Sequence, residues 1–157
     1  MCAVDAGCAF VIAQGIEAGG HLRGTLPLLV LLDDLLDRVE VPVIGAGGIG
    51  TARALAATLA CGAAGARIGT RLVASKESGA HPACIDALLR AGASDAELTT
   101  VFSVGWPNVP LRVLRSCIDA AGLVEGDVVG EEHLGPSVIP VPRFGIAPPG
   151  RTLTGTI

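Results

Sequence analysis

The chain is expected to fold as an α/β protein around a parallel sheet, and three observations predict it. Apolar runs at residues 9–13, 41–46 and 64–68 are too short for ordinary helices, and the first two are rich in Val, Ile and Phe. Each run gives way at once to glycines: Gly15, Gly19, Gly20 and Gly24, then Gly47, Gly48 and Gly50, then Gly69. Leucine or alanine helices follow the first two loops. Strand, glycine loop and helix in succession are the mark of right-handed βαβ units.

Taken in order, Ala3-Val4-Asp5-Ala6-Gly7 reads as the last turn of a helix ending in a glycine. The strand at 9–13 is expected to be covered on both faces. Helix 27–39 places leucines at 28, 29, 31, 32, 35 and 36 among Asp33, Asp34, Asp37 and Arg38, with Pro27 acceptable at its start. Pro42 must lie at the beginning of the second strand. Thr51 is a good N-cap for helix 52–61, which Gly62 stops. The third strand, 64–68, is weak in composition. His81-Pro82 opens a helix to residue 91, and residues 101–104 suit a short extended segment. Gly105 to Pro110 form a turn-rich loop around Trp106, read as a packing residue. Residues 111–121 read as a helix, and the acidic, then proline-rich stretch from 125 reads as irregular.

Strand starts at 9, 41 and 64 fall near the spacing of a (β/α)8 barrel of roughly 250 residues. A chain of 157 residues is too short for all of it. The expected organisation is therefore a partial barrel domain over 1–124 and an irregular tail over 125–157.

Half of the residues are hydrophobic and 17% are charged, which suits a folded domain and argues against disorder. Mean hydropathy is high at +0.61. No run reaches the roughly eighteen apolar residues of a membrane span, and no basic-then-apolar start suggests a secretory signal. A net charge of −4, without a basic cluster and with few aromatics, makes nucleic acid a poor candidate partner. Five cysteines with no CxxC pair suggest neither a disulfide framework nor a metal site, and fit a reducing cytoplasm.

In parallel α/β architectures ligands sit at the carboxyl ends of the strands, where all three glycine loops fall. Gly47-Gly48 ahead of a Thr-capped helix offers free amides and a positive dipole end, which suit a phosphate. Gly69-Thr70 adds an amide and a hydroxyl. A Gly-Gly pair alone is more often a tight turn, but two adjacent loops sharing one phosphate characterise the last two strands of phosphate-binding barrels. On that reading the three strands are the sixth to the eighth. His21 then faces the same mouth, and it is the one side chain of its loop able to exchange a proton near neutral pH.

Three runs carry a family resemblance. They are Gln14-Gly15-Ile16-Glu17-Ala18-Gly19-Gly20-His21, Pro42-Val43-Ile44-Gly45-Ala46-Gly47-Gly48-Ile49 and Ile68-Gly69-Thr70-Arg71-Leu72, with Glu77 and His81-Pro82 following. Over roughly residues 3–120 the chain resembles the nitronate monooxygenases, FMN-containing barrel enzymes. The resemblance implies that Gln14, Gly19 and Gly20 contact FMN. Gly47 and Gly48 meet its phosphate, and Arg67, Ile68, Gly69 and Thr70 complete the phosphate site. It makes His21 the catalytic histidine, which takes a proton from the carbon bearing a nitro group before oxidation with O2. An imidazole with its ordinary pKa of about 6.5 is largely neutral, hence basic, at cellular pH. Glu17 is read as holding the glycine loop by accepting amides. Arg67 departs from the family, which usually has an uncharged residue there.

The resemblance extends to flavin-dependent enoyl-acyl-carrier-protein reductases, which share the Glu-Ala-Gly-Gly-His motif and the phosphate loops. Three strands close no barrel, and their edges expose unpaired amides. Completion by a second copy or by a missing N-terminal half is expected, and a catalytically silent fragment is the reading of another class.

Overall fold

The computed structural model describes residues 2–155, in two compact units, Met1–Arg71 and Leu72–Ile157. The division falls at 71/72, whereas the change in composition suggests 124/125.

In the first unit the helical turn α1 (Cys2–Asp5) ends as predicted on Gly7, which has φ +84°. Gly7 N–H donates to Val4 O and Cys8 N–H to Ala3 O, at 2.9 and 3.1 Å, the paired bonds of a Schellman ending. There follow β1 (Val11–Gln14), the two-residue β2 (Gly20–His21) and α2 (Leu28–Leu36). Then come β3 (Val43–Ala46), α3 (Ala52–Ala60) and β4 (Gly65–Arg67). The strands β1, β3 and β4 lie side by side in that order, all parallel, with Gln14 opposite Ala46 and Ala46 opposite Arg67. This is the βαβ repeat the sequence predicts. Thr51 caps α3 by accepting from Ala54 N–H at 3.2 Å.

The core lies between the sheet and its helices: Ala13, Leu28, Leu32, Val43, Ile49 and Ala63 are buried, with Leu35, Leu55 and Ile68 packed against them. Val11, Ala13, Val43 and Gly45 share this face because side chains alternate along a strand. The opposite face stays open, with Phe10 and Ile12 54% and 42% exposed. The expectation that the first strand is covered on both faces is thus corrected: α2 packs on one side only.

Gly45 is set by its neighbour. A Cβ there would lie 2.6 Å from Thr58 Cγ2, while the buried Thr58 hydroxyl donates to Ala54 O at 2.8 Å. Gly45→Ala should therefore cost about 1–3 kcal/mol of stability in urea unfolding. Adding Thr58→Ser, which removes the methyl and keeps the hydroxyl, should restore most of it; no recovery would show that the strain lies elsewhere.

The second unit contains α4 (Pro82–Arg90), the antiparallel pair β5 (Ala96–Thr99) and β6 (Leu111–Leu114), and α5 (Arg115–Leu123). It continues with β7 (Val128–Leu134), β8 (Ser137–Pro142) and β9 (Leu153–Gly155), antiparallel in the order β8-β7-β9. His81 caps α4, its Nδ1 accepting from Ala83 N–H at 3.2 Å. Phe102 and Phe144 meet edge to face at 6.1 Å, and the Arg143 guanidinium lies 4.5 Å from the Phe144 ring centre.

Three expectations are corrected here. The predicted helix at 111–121 begins as β6, because Leu111 to Leu114 pair with β5, and turns helical only at Arg115. Trp106 is exposed rather than packed beneath its loop. The tail from 125 is not irregular but forms the β7–β8–β9 sheet; Thr156 and Ile157 lie outside the described residues. Pro140 and Pro142 are tolerated because β8 is an edge strand, where a missing N–H can face away from the ladder. The hairpin turns on Gly135-Pro136, and Gly135 takes φ +61° ahead of a proline held near −65°, the residue order of a type II′ turn.

Candidate functional site

The carboxyl ends of β1, β3 and β4 deliver their loops to one place. The first bond across them is Gly15 N–H to Ala46 O at 2.8 Å. Beyond it the loops pack so closely that side chains are excluded. A Cβ on Gly47 would lie 2.9 Å from Ala18 N and 3.1 Å from Gly15 O, and Gly47 takes φ +115°, which L side chains rarely adopt. A Cβ on Gly48 would lie 3.3 Å from Glu17 Cβ, and one on Gly19 would overlap the Thr70 hydroxyl. Predicted residues from all three loops are thus brought together: Gly19 with Thr70, Gly47 with the Gly15–Ala18 turn, and Gly48 with Glu17.

The two helix N-termini facing this end differ. At α2, Pro27 offers no side-chain cap, and the Glu17 carboxylate accepts from Leu28 N–H through Oε2 at 3.0 Å and Oε1 at 3.3 Å. That satisfies one orphan amide and places a negative charge on the positive dipole end. At α3 the Thr51 hydroxyl takes one amide and no carboxylate stands in the first turn. Gly48, at φ +68°, precedes it in the chain, and a Cβ on Gly69 would meet open space. Of the two helix starts, the one at α3 is thus the better suited to an anion, since no carboxylate stands on it.

Other predicted residues fall as follows. Gln14 donates from Nε2 to His21 O at 3.0 Å, so it braces the end of the glycine loop across seven residues. Alternation and register put Gln14, Ala46 and Arg67 in one row on the other face of the sheet, where Ala46 is buried and Arg67 exposed. Gly20 takes φ +79° with open space around it. His21 is half-buried with its Nε2 shielded from solvent. The Ile68 side chain packs against the core, so only its backbone can face a ligand. Thr58, which seats α3 on Gly45, was not singled out from the sequence; a lone threonine on an alanine and leucine helix face was the available signal.

Among the described residues no group of His, Cys, Asp or Glu is arranged to hold a metal ion, and no helix is long and apolar enough to cross a membrane. In the second unit burial pushes the thiols of Cys84 and Cys117 up. The neighbouring Cys117 adds to the effect on Cys84, while bonds from Leu114 and Ser116 oppose it at Cys117. Both are held as thiols, which leaves no activated sulfur nucleophile at either.

The strand-end loops of a parallel βα sheet, meeting through glycines beside the Thr51-capped start of α3, define the class as a βα protein whose candidate site lies at the carboxyl ends of its strands. The nitronate monooxygenase family pattern matches residues 1–116, and the chain belongs to that family. It is 39% identical over 107 residues to a probable nitronate monooxygenase of Bacillus subtilis, covering 63% of this chain and 31% of that protein. A putative monooxygenase of Mycobacterium tuberculosis is 39% identical over 112 residues, covering 71% and 28%. Among solved structures, FabK from Thermotoga maritima superposes with a TM-score of 0.65 at 39% identity, covering 73% of this chain and 35% of that one. The nitroalkane oxidase from Streptomyces ansochromogenes gives 0.64 at 37%, covering 72% and 34%. The chain thus spans about a third of the length of these relatives.

Proposed function

We propose that the chain carries the phosphate-holding and histidine-bearing strands of an FMN-dependent nitronate monooxygenase, part of a (β/α)8 barrel that oxidises nitroalkanes or nitronates with O2. The observation that carries this reading is the contact of the three loops through Gly19, Gly47 and Gly48, packed so closely that a Cβ at each would meet the Thr70 hydroxyl, the Gly15–Ala18 backbone or the Glu17 stem.

The residues present fit the cofactor. The backbone of Gly47, Gly48 and Gly69, the Thr70 hydroxyl and the α3 terminus are the groups that hold its phosphate, and the exposed Arg67 adds positive charge on the same side of the sheet as Gln14. Bound FMN supplies the electron acceptance that no side chain offers. His21 takes the proton from the carbon bearing the nitro group; when the substrate is already a nitronate, His21 only positions the anion. Gln14 holds the His21 backbone and so fixes where the ring starts. A cytoplasmic setting belongs to this reading, since Cys8, Cys61, Cys84 and Cys117 are all free.

A second reading, a flavin-dependent enoyl-acyl-carrier-protein reductase, rests on the motif Glu17 to His21, which both groups share. The two superpositions are equally close, so backbone geometry does not separate them. Titration of FMN with the chain, followed by flavin fluorescence, comes first: micromolar binding supports a flavin site and no binding leaves the silent fragment. Nitronate-dependent oxygen uptake without NADH then supports the monooxygenase, whereas NADH oxidation with a crotonyl thioester supports the reductase.

A further inference from the structure

We infer that Glu17 is a positioning residue for the phosphate of the flavin: it ties the Gly47-Gly48 turn to the start of α2. The inference rests on the proposed function above and adds a residue to that site.

Glu17 is held at both ends. Its carboxylate accepts from Leu28 N–H, at 3.0 and 3.3 Å, at the first residue of a helix whose Leu28 and Leu32 are anchored in the core. Its aliphatic stem lies under the phosphate turn, with Cβ 3.3 Å and Cγ 3.8 Å from where a Gly48 side chain would begin. Gly15 completes the fit: a Cβ there would meet the Glu17 carboxylate and lie 2.6 Å from Leu28 N, so helix start, carboxylate and loop share one space. A turn of two glycines is otherwise among the loosest pieces of backbone, and its amides act on a phosphate only if they are held in place. The stem of Glu17 is the side chain against Gly48, and the bond to Leu28 is what keeps that stem still.

The charge of Glu17 acts in the opposite sense to its position. A carboxylate near a bound phosphate repels it, so removal of the charge alone should tighten binding. Loss of the brace should weaken it, and this difference in sign makes the inference testable. Glu17→Gln keeps an oxygen acceptor on a side chain of the same length; Glu17→Ala removes it; Glu17→Asp keeps the charge but shortens the reach by one methylene.

The experiment is titration of FMN and, separately, of riboflavin, which lacks the phosphate, into the wild-type chain and the three variants. The expected result is a rise of about tenfold in the FMN Kd of Glu17→Ala and Glu17→Asp, wild-type or tighter binding by Glu17→Gln, and little change for riboflavin. Equal losses for both flavins would reduce Glu17 to a stabilising role and overturn the inference, as would undiminished FMN binding by Glu17→Ala. If Glu17→Ala does not fold, the contrast between Gln and Asp gives the same answer. A wild-type chain that binds neither flavin would overturn the proposed function itself, and this inference with it.

Discussion

Gly47→Val should expel the flavin while leaving the helices in place. The β carbon of valine would have to share space with Ala18 N at 2.9 Å and Gly15 O at 3.1 Å, and both are backbone atoms that cannot swing aside. Gly15 is itself tied to Ala46, so the β1 loop cannot retreat without breaking the 2.8 Å bond at the sheet end. The φ of +115° is a second obstacle, one a β-branched residue meets more severely than alanine. Together they cost about 1–3 kcal/mol in strain, and any relief must come from moving the amides of the Gly47-Gly48 turn, to which the proposed function gives the phosphate. The expected outcome is loss of FMN binding by fluorescence titration at concentrations that saturate the wild-type chain, with far-ultraviolet circular dichroism little changed. Gly50→Ala, where the same extra methyl meets open space, is the control and should bind normally.

Where the sequence was legible, local chemistry and long-range packing agreed. Thr51 announces α3 because its hydroxyl caps the helix without help from the rest of the chain. Gly7 ends α1 by the same local logic. The glycine loops could be placed at strand ends from sequence, but that Gly19 abuts Thr70, fifty-one positions away, is a matter of tertiary packing. Where reading failed, a distant partner decided. Residues 111–114 have a spacing that suits a helix face, and only the ladder with β5 makes them a strand. The prolines of the tail look like breakers until β8 is seen to lie at an edge, a position no local pattern reveals. Glu17 was legible as an acceptor of amides, yet its particular partner, Leu28 N–H, and its stem against Gly48 depend on how the loop folds back over α2.

His21→Ala should lower kcat/KM for a neutral nitroalkane by about 10²- to 10⁴-fold, the usual contribution of a positioned general base. The same variant should lose far less on the preformed nitronate, where no carbon-bound proton remains to be taken. FMN affinity should hold, because the polar contact between His21 and Gln14 runs through the His21 backbone oxygen, which alanine retains. The measurement is oxygen uptake with each substrate on the same preparation, in the assembly that binds flavin, with the FMN Kd recorded alongside. Equal losses on both substrates would remove His21 from proton transfer, and loss of FMN would make it part of the cradle. Gln14→Ala separates placement from chemistry further: it frees the carbonyl of His21 while leaving the imidazole in the chain. Turnover of the neutral substrate should then fall less than in His21→Ala and recover with Gln14→Asn only if the shorter amide still reaches the His21 oxygen.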